Sequence, residues 1–533
     1  MFRFLHNYRT CFFHMKFLQN DWGWDVTQTP PFLAFRALRR RAADIHGEAK
    51  ILDLSQGEPG YGFAPSTRSR RFFSFLMMVD TELNNNQTDM HFGEKTEEDY
   101  PDIQKTLEDI AKKYFSEEVA IELISDLEAF LSELERICTS QGHPKTRFEI
   151  LFEIFKFSIL SGGRYPNSWG EMICRMAVAE ERTEEFGFPV SFEDVMIVNG
   201  ASHGVGMFFK GFGEEGAGFL GKGDSVLMVS PVYAPYTQIV EERGMNLINI
   251  SIDPETGELD EESFENAKHS SERIKAIILI NPNNPTGFPL EKEVLEKIAD
   301  IAEQHNAIIL SDDVYAQFFE GNMSIVQIPK ARKRTIRINA LSKIERSTGV
   351  RFGDVYLAPE ARDFIAQDIV EKDCPGFVEK YQDARWFMFL AKSVAGKNIG
   401  VFQHISGTPG LSQIIGLTHI VLGKRERKEY LQMLRKKVDT FYEAMRLPKP
   451  KNNYYGVIDL RPLEGEETAK KPIEQVLTEI AEKGVVVMPA FRFFSEADRK
   501  TDDRRRFIRV SLPNLSVENT RKAGEIIREH ISQ

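Results

Sequence analysis

The segment that begins at Ser342-Lys343 has the residue types and the spacing for chemistry on an aldehyde. Lys343 is followed by Gly349, Arg351 and Gly353, at steps of six, two and two residues. A lysine amine forms a Schiff base with an aldehyde, and an arginine fork binds a phosphate dianion. The glycines let the backbone approach a ligand closely. The pattern predicts a lysine that binds an aldehyde beside a phosphate; an ordinary surface lysine in a glycine-containing loop is the alternative.

Two polar motifs precede this lysine in the chain. The first runs from Asn281 to Gly287 and reads Asn-Pro-Asn-Asn-Pro-Thr-Gly, and the second is Ser-Asp-Asp-Val-Tyr at 311–315. In content, order and spacing, the three segments resemble the fold-type I aminotransferases, which depend on pyridoxal 5'-phosphate (PLP). The resemblance implies transfer of an amino group from an amino acid to a 2-oxo acid. It also implies an α/β fold: a large domain with a mostly parallel sheet and helices on both faces, and a smaller α/β domain.

The resemblance assigns the central chemistry to Lys343, which would hold PLP as a Schiff base and then move the substrate proton. A desolvated lysine among positive charges is neutral part of the time, as this role requires. Asp312 should face the pyridine nitrogen and keep the ring protonated. Asp313 is the competing candidate, but the Asp-x-x-Tyr spacing to Tyr315 favours Asp312. Asn284 and Tyr315 would donate hydrogen bonds to the ring oxygen.

The phosphate of the cofactor needs donors and positive charge. Arg351 would supply a bidentate fork and Ser342 a hydroxyl. Ala201 and Ser202 open a helical run that resembles the family's phosphate loop, whose N–H groups point at the anion. The family often has a second serine three residues before the lysine, whereas Ala340 stands there in this chain. One hydroxyl contact is therefore expected to be missing.

Four more residues complete the implied site. Tyr165 resembles the tyrosine that reaches the phosphate from a neighbouring subunit, so a homodimer or a larger homo-oligomer is expected. Tyr233 matches the aromatic ring stacked on the cofactor, with core packing as the alternative. Arg509 stands inside an apolar run, where a charge is costly unless it is paired. The resemblance implies that its partner is the substrate α-carboxylate, close to Gly57 and Asn284.

Composition sets limits on other functions. Among the 533 residues, 42% are hydrophobic and 28% are charged, which is typical of soluble globular proteins. The net charge of −12 argues against non-specific nucleic-acid binding. No apolar stretch is long enough to span a bilayer. The four cysteines are scattered, which favours reduced thiols, a cytoplasmic location and no zinc module. We expect no metal ion in the site.

Short apolar runs rich in β-branched residues predict the strands that position these motifs. They occur at 225–229, 276–280, 307–310 and 335–339, and a helical pattern at 291–302 separates the second from the third. Alternating strands and helices imply a mostly parallel sheet, which binds ligands beyond the carboxyl ends of its strands. Because Asn284, Asp312 and Lys343 each follow a predicted strand end, we expect them to meet in one crevice. Strands of the smaller domain are predicted at 454–460, 484–488 and 507–512.

The region from 96 to 156 has acidic amphipathic periodicity, which predicts several helices with no strand between them. The number of residues between Gly57 and Tyr165 is also much larger than in the family, so we interpret this region as an insertion. Its apolar side chains exceed what isolated helices can bury, so it must pack on the small domain, cover the crevice or meet another dimer, and we expect a mix of packing and contact with another dimer. We predict an N-terminal extension (1–26), an N-terminal arm with part of the small domain (27–65), a mostly helical insertion (66–163), a large PLP-binding domain (164–372) and a small C-terminal domain (373–533).

Features outside the shared motifs are similar to the bacterial aspartate 4-decarboxylases, which are also aspartate aminotransferases. These features are the chain length, the helical insertion and the segments 453–460 and 509–514. Two departures count against β-decarboxylation: Gln56 replaces an arginine before Gly57, and 283–287 keeps the ordinary aminotransferase form. We therefore expect an aspartate-type aminotransferase. An aspartate 4-decarboxylase with residual transamination is the alternative, and a non-catalytic PLP-fold binding protein is a third hypothesis.

Overall fold

The computed structural model of this chain describes most of its length. The described residues are 24–59, 67–84, 96–100, 102–156, 166–214, 216–381, 383, 407–501 and 504–533. Within these ranges, no helix has the length and apolar character needed to cross a bilayer.

A seven-stranded sheet forms the centre of the fold, and two small sheets lie in the C-terminal part. The strands are β1 (Leu52–Asp53), β2 (Val195–Val198), β3 (Ser225–Ser230), β4 (Asn246–Ser251), β5 (Ile274–Ile280), β6 (Ile308–Asp312), β7 (Thr335–Ala340), β8 (Gly353–Leu357), β9 (Tyr455–Asp459), β10 (Val485–Val486), β11 (Met488–Pro489) and β12 (Phe507–Ser511).

The large sheet has the order β2-β8-β7-β6-β5-β3-β4. Its pairs from β7 to β4 are parallel, whereas β8 is antiparallel to both of its neighbours. Strands such as β5, whose side chains are nearly all buried, are apolar along their whole length because helices cover both faces of the sheet. The predicted mostly parallel α/β sheet is confirmed.

Helices surround the sheets. They are α1 (Pro31–His46), α2 (Thr67–Asn84), α3 (Ile103–Tyr114), α4 (Glu117–Ser140), α5 (Arg147–Phe155), α6 (Met172–Phe186), α7 (Ala201–Phe212), α8 (Ala234–Glu242), α9 (Glu261–Lys268), α10 (Lys292–Gln304), α11 (Pro329–Arg332), α12 (Pro359–Asp363), α13 (Glu371–Asp373), α14 (Phe377–Tyr381), α15 (Gly410–Leu422), α16 (Lys424–Met445), α17 (Glu466–Ala469), α18 (Ile473–Glu482), α19 (Glu496–Thr501) and α20 (Val517–Ile531), with a π-helical segment at Phe364–Val370.

The small sheets differ from prediction in one place. The run 484–488, predicted as one strand, forms two short strands that belong to different sheets. β10 pairs in parallel with β1, whereas β11 pairs antiparallel with β12, which in turn pairs with β9. The run changes partner at Val487, so both the N-terminal segment and the C-terminal strands are tied to it. A local sequence pattern cannot predict such a change of partner.

The described residues of the predicted insertion form helices joined by short non-helical segments, with no strand among them, as expected. Its packing agrees in part with the expectation, because α4 contacts α15, which falls within 373–533, and also α6, which falls within 164–372. Phe130, Leu131 and Leu134 of α4 are fully buried in the single chain, in the same apolar core as the central sheet. α4 packs against α6 and α15, and these helices cover its apolar face without a second subunit. The domain boundaries given above stay a prediction.

Candidate active site

A cavity of about 1000 Å³ lies at the carboxyl ends of β5, β6 and β7, where Ile280, Asp312 and Ala340 contribute to its wall. Every site residue predicted from the sequence lines it, apart from Tyr165, which lies outside the described residues. These residues are Gly57, Ala201, Ser202, Tyr233, Asn284, Asp312, Tyr315, Ser342, Lys343, Arg351 and Arg509. The sheet therefore brings together residues far apart in the chain.

Lys343 lies three residues beyond the end of β7, in the cavity wall. Its Nζ donates a hydrogen bond to the Gly57 carbonyl at 2.7 Å. Burial is the main cause that lowers the pKa of the Lys343 amine, to about 8, and the nearby Arg509 and Arg351 lower it further, whereas Glu58 opposes them. An amine with this pKa is neutral in an appreciable fraction of molecules near neutral pH, so it can act as a nucleophile and as a base.

Asp312 is the last residue of β6 and not, as predicted, the residue past the strand end. Its Oδ2 accepts a hydrogen bond from the Tyr236 hydroxyl at 2.5 Å, and its Oδ1 accepts one from the Val314 N–H at 3.2 Å. Burial raises the pKa of this carboxyl to about 6. No described cation forms an ion pair with it, so a protonated ring nitrogen in the cavity would supply the missing partner.

Asp313 has a different environment. Its carboxylate forms a buried ion pair with Arg337 at 3.1 Å and accepts hydrogen bonds from Ser311 and Ser324, each at 2.5 Å. Asp313 is not among the described residues that line the cavity. Of the two neighbouring carboxylates, Asp312 alone faces the ligand space.

Arg351 and the start of α7 form an end of the cavity suited to an anion. The Arg351 guanidinium donates to the Thr348 and Asn199 carbonyls, at 2.9 and 3.2 Å. A Cβ on Gly200 would collide with this guanidinium, and Gly200 has a φ of +77°, which favours glycine. Ala201 and Ser202 follow at the N-terminus of α7, where backbone N–H groups and the helix dipole favour a phosphate. Ser342 adds a hydroxyl to the same cavity.

Arg509, in β12, is 2% exposed. It donates to the Ser55 carbonyl at 2.5 Å and to Asn284 Oδ1 at 3.4 Å, and its guanidinium lies 4.8 Å from the centre of the Tyr455 ring. Its Nε has no hydrogen-bond partner, and no described carboxylate forms an ion pair with it. A buried charge with only neutral partners is costly, and a ligand carboxylate would compensate it.

The sequence did not single out several residues of the cavity. Tyr236, the partner of Asp312, lies one helical turn after Tyr233 in α8, and this spacing was an available signal. Tyr455 contacts Tyr315 and Arg509 across the cavity, but nothing in its local sequence predicts those contacts. Phe32 and Arg36, from α1, also line the cavity.

The residues of the cavity fit PLP. A partly neutral lysine suits its aldehyde, and the Asp312 carboxylate suits its ring nitrogen. The guanidinium of Arg351, the start of α7 and the close approach at Gly200 suit its phosphate. The set of donors and acceptors therefore matches all three polar parts of this cofactor.

Comparison with known proteins supports this reading. A family model described as aminotransferase class I and II matches residues 193–527. A bifunctional aspartate aminotransferase and L-aspartate beta-decarboxylase of a Pseudomonas species is 26% identical over 387 residues, which are 67% of this chain and 70% of that protein. An aspartate aminotransferase of Pyrococcus horikoshii is 32% identical over 182 residues, which are 34% of this chain and 44% of that protein.

Solved structures agree in fold. A double mutant of Thermus thermophilus aspartate aminotransferase superposes with a TM-score of 0.58 at 20% identity, covering 95% of this chain and 98% of that one. YbdL from Escherichia coli, with a methionine aminotransferase function, gives a TM-score of 0.57 at 16% identity, covering 95% and 99%. The predicted type I fold and the predicted cofactor are confirmed. With the family model matched over more than half of its length, the chain belongs to the class I and II aminotransferases, which are PLP-dependent enzymes.

Proposed function

We propose that this enzyme transfers the amino group of aspartate to a 2-oxo acid. The observation that carries the proposal is a second available arginine, Arg36, in the wall of the cavity that holds Arg509. An amino acid with a carboxylate side chain needs two cationic partners, one for each carboxylate. The similarity to the Pseudomonas and Pyrococcus proteins named above points to the same substrate class.

Arg36 owes its position to the helix that carries it. Phe32, Phe35, Arg36 and Arg39 all line the cavity, and their spacing of three and four residues places them on one face of α1. Arg39 is held by Glu48 and Asp53, at 2.8 and 3.3 Å.

Arg36 itself is exposed, and no described residue forms an ion pair or a hydrogen bond with its guanidinium. The helix is anchored beside the ring-stacking position, since the Phe32 ring lies 6.1 Å from the Tyr233 ring. Arg36, one turn after Phe32, is thus placed to bind a side-chain carboxylate, while Arg509 binds the α-carboxylate. Arg492, another arginine of the small domain, donates to the Thr27 carbonyl at 3.1 Å and is not among the described residues that line the cavity.

The roles of the other residues follow from their contacts. PLP, when bound, supplies an aldehyde carbon and an electron-withdrawing ring. Arg351, Ser342 and the start of α7 would hold its phosphate. The Asp312 carboxylate would accept a hydrogen bond from the protonated ring nitrogen. Lys343, once its amine is free, would take the proton from the substrate Cα and deliver it to the carbon that was the cofactor aldehyde, because its lowered pKa suits both steps.

Substitution of Arg36 tests the aspartate assignment. We expect Arg36→Gln to lower kcat/KM for aspartate by about 10- to 100-fold, which corresponds to loss of a charge-assisted hydrogen bond. The value of kcat/KM for asparagine should stay nearly unchanged. The half-reaction, followed by the absorbance of the bound cofactor, measures this without an acceptor. Arg40→Gln is the matched control, because Arg40 is exposed on the same helix and does not line the cavity. Arg509→Gln should lower kcat/KM for both substrates alike, by at least about 30-fold.

The outcomes separate two failures. A wild-type enzyme that does not prefer aspartate to asparagine contradicts the aspartate assignment. If Arg36→Gln still prefers aspartate to asparagine, the result contradicts only the role of Arg36 and is compatible with aspartate as the substrate.

β-Decarboxylation of aspartate is the second candidate function. The match to the bifunctional Pseudomonas protein, over 67% of this chain, favours it, whereas Gln56 and the form of 283–287 count against it. The same incubations distinguish the two: release of CO₂ with alanine supports decarboxylation, and formation of the 2-oxo acid of aspartate supports transamination.

We also propose a homodimer as the smallest active assembly, because Tyr165 resembles a residue that completes the phosphate site of a neighbour. Light scattering combined with activity at the same protein concentration measures this. We expect a dimer or a larger assembly, and a monomer with full activity would show that each site is complete in one chain. A cytoplasmic location stays a prediction.

A further inference from the structure

Two tyrosine hydroxyls meet inside the cavity. Tyr315 Oη and Tyr455 Oη are 2.9 Å apart, and either one can be the donor. Both side chains are buried, and their rings pack edge to face with centres 5.4 Å apart. No other described residue forms a hydrogen bond with either hydroxyl. The pair therefore has two hydroxyl protons. One forms the hydrogen bond between the tyrosines, and the other can be donated to a ligand.

The role assigned to Tyr315 requires Tyr455 to be the donor. A tyrosine hydroxyl has one proton, so a Tyr315 that donates to the ring oxygen of the cofactor can only accept within the pair. The Tyr455 ring lies under the Arg509 guanidinium, at 4.8 Å. The Tyr455 oxygen is also enclosed, since a Cβ on Gly57 would collide with it.

We infer that Tyr455 is a positioning residue for the reaction. Its hydroxyl donates to Tyr315 Oη, which leaves the Tyr315 proton directed to the ring oxygen of the cofactor. Donation to Tyr315 also polarises its O–H bond, so Tyr315 becomes a stronger donor. Through its ring, Tyr455 contacts Arg509 as well, so a single side chain joins the carboxylate-binding arginine to the cofactor-binding tyrosine. This role does not depend on which amino-acid side chain is the substrate.

Substitution of Tyr455 by phenylalanine tests the inference in the holoenzyme. A hydrogen bond to the ring oxygen stabilises its negative charge, so a weaker bond raises the pH at which the bound cofactor changes its visible absorption. We expect Tyr455→Phe to raise this pH midpoint by about half a unit, since a neutral hydrogen bond contributes about 0.5–1.5 kcal/mol. kcat should fall about threefold to tenfold with little change in KM. The titratable and charged groups around the pair include Tyr233, Tyr430, Tyr454, Lys343, Asp312 and Arg509, and they are unchanged in this variant.

Two further variants make the test specific. Tyr442→Phe is the matched control, because it removes a hydroxyl from a buried tyrosine that does not line the cavity; its midpoint should equal that of the wild type. Tyr315→Phe should raise the midpoint by itself. In the Tyr315→Phe background, Tyr455→Phe should then have no further effect, because its action passes through Tyr315.

The results that would overturn the inference are equally definite. An unchanged midpoint in Tyr455→Phe, with a shifted midpoint in Tyr315→Phe, shows that Tyr455 does not act on Tyr315. Additive shifts in the double variant show that the two hydroxyls act independently. Thermal unfolding of the apoproteins checks that each variant is folded, and the conservative loss of one oxygen atom is expected to preserve the fold.

Discussion

Replacement of Lys343 by alanine is expected to lower turnover by about 10⁴-fold, at the upper end of what one acid–base group contributes. The reason is that we assign the amine two roles, as the group that binds the cofactor aldehyde and as the base that moves the substrate proton. The variant should still bind PLP through Arg351, Ser342 and the start of α7. After borohydride treatment, however, mass spectrometry should find no cofactor attached to the chain.

Lys437 provides a matched control for this experiment. It is another buried lysine whose pKa burial lowers to about 8, and its Nζ donates to the Pro513 carbonyl at 2.7 Å, but it does not line the cavity. Lys437→Met should keep the covalent label after reduction and retain turnover near that of the wild type. A Lys343→Ala protein that still takes up the label at a lysine and turns over would show that another amine holds the cofactor.

Replacement of Asp312 by asparagine should lower kcat by about 10²–10³-fold, the usual cost of losing one preorganised electrostatic group. Without this carboxylate, the ring nitrogen of the cofactor loses the partner that keeps it protonated. PLP should still bind, because Lys343 and Arg351 are intact. Asp313→Asn should be different: it removes a partner of the buried Arg337, so it should destabilise the fold without removing the carboxylate from the cavity.

The Asp312→Asn substitution should stabilise the apoprotein above pH 6. Burial raises the pKa of Asp312 from 3.8 to about 6. Between these values the carboxyl is ionised in the unfolded chain and protonated in the folded chain, so the folded state loses stability as the pH rises from about 4 to about 6. Above pH 6 the carboxyl is ionised in both states, and its burial lowers the free energy of unfolding by the full amount. Denaturant unfolding of apo Asp312→Asn at pH 7.5 should therefore give a higher free energy of unfolding, on the order of 1–3 kcal/mol. A lower value at pH 7.5, or a gain that persists at pH 4, would contradict this account.

The apolar core of the insertion shows how far a local pattern can be used. Its amphipathic periodicity correctly predicted helices, because the period of apolar residues follows from local backbone geometry. The pattern could not say what covers the apolar face. Phe130 and Leu134 are buried against the same core as the central sheet, and this contact depends on how α6 and α15 pack in three dimensions.

The sequence by itself determined the fold class, four of the seven central strands (β3, β5, β6 and β7) and the set of residues that meet at the strand ends. It could do so because the carboxyl ends of parallel strands share one edge of a sheet, so motifs that follow such strands must converge. The spacing to Tyr315 already favoured Asp312 over Asp313. The tertiary structure supplied the physical reason, since β6 packs with Asp312 toward the cavity and Asp313 against Arg337.

Only the tertiary structure decided which residues from distant elements complete the site. Tyr455 meets Tyr315 because β9 and the segment after β6 converge, although the two tyrosines are 140 positions apart in the chain. Arg36 reaches the cavity because α1 packs beside it. Such contacts depend on the relative placement of whole elements. Local spacing carries no record of that placement, so no motif in one segment could have predicted them.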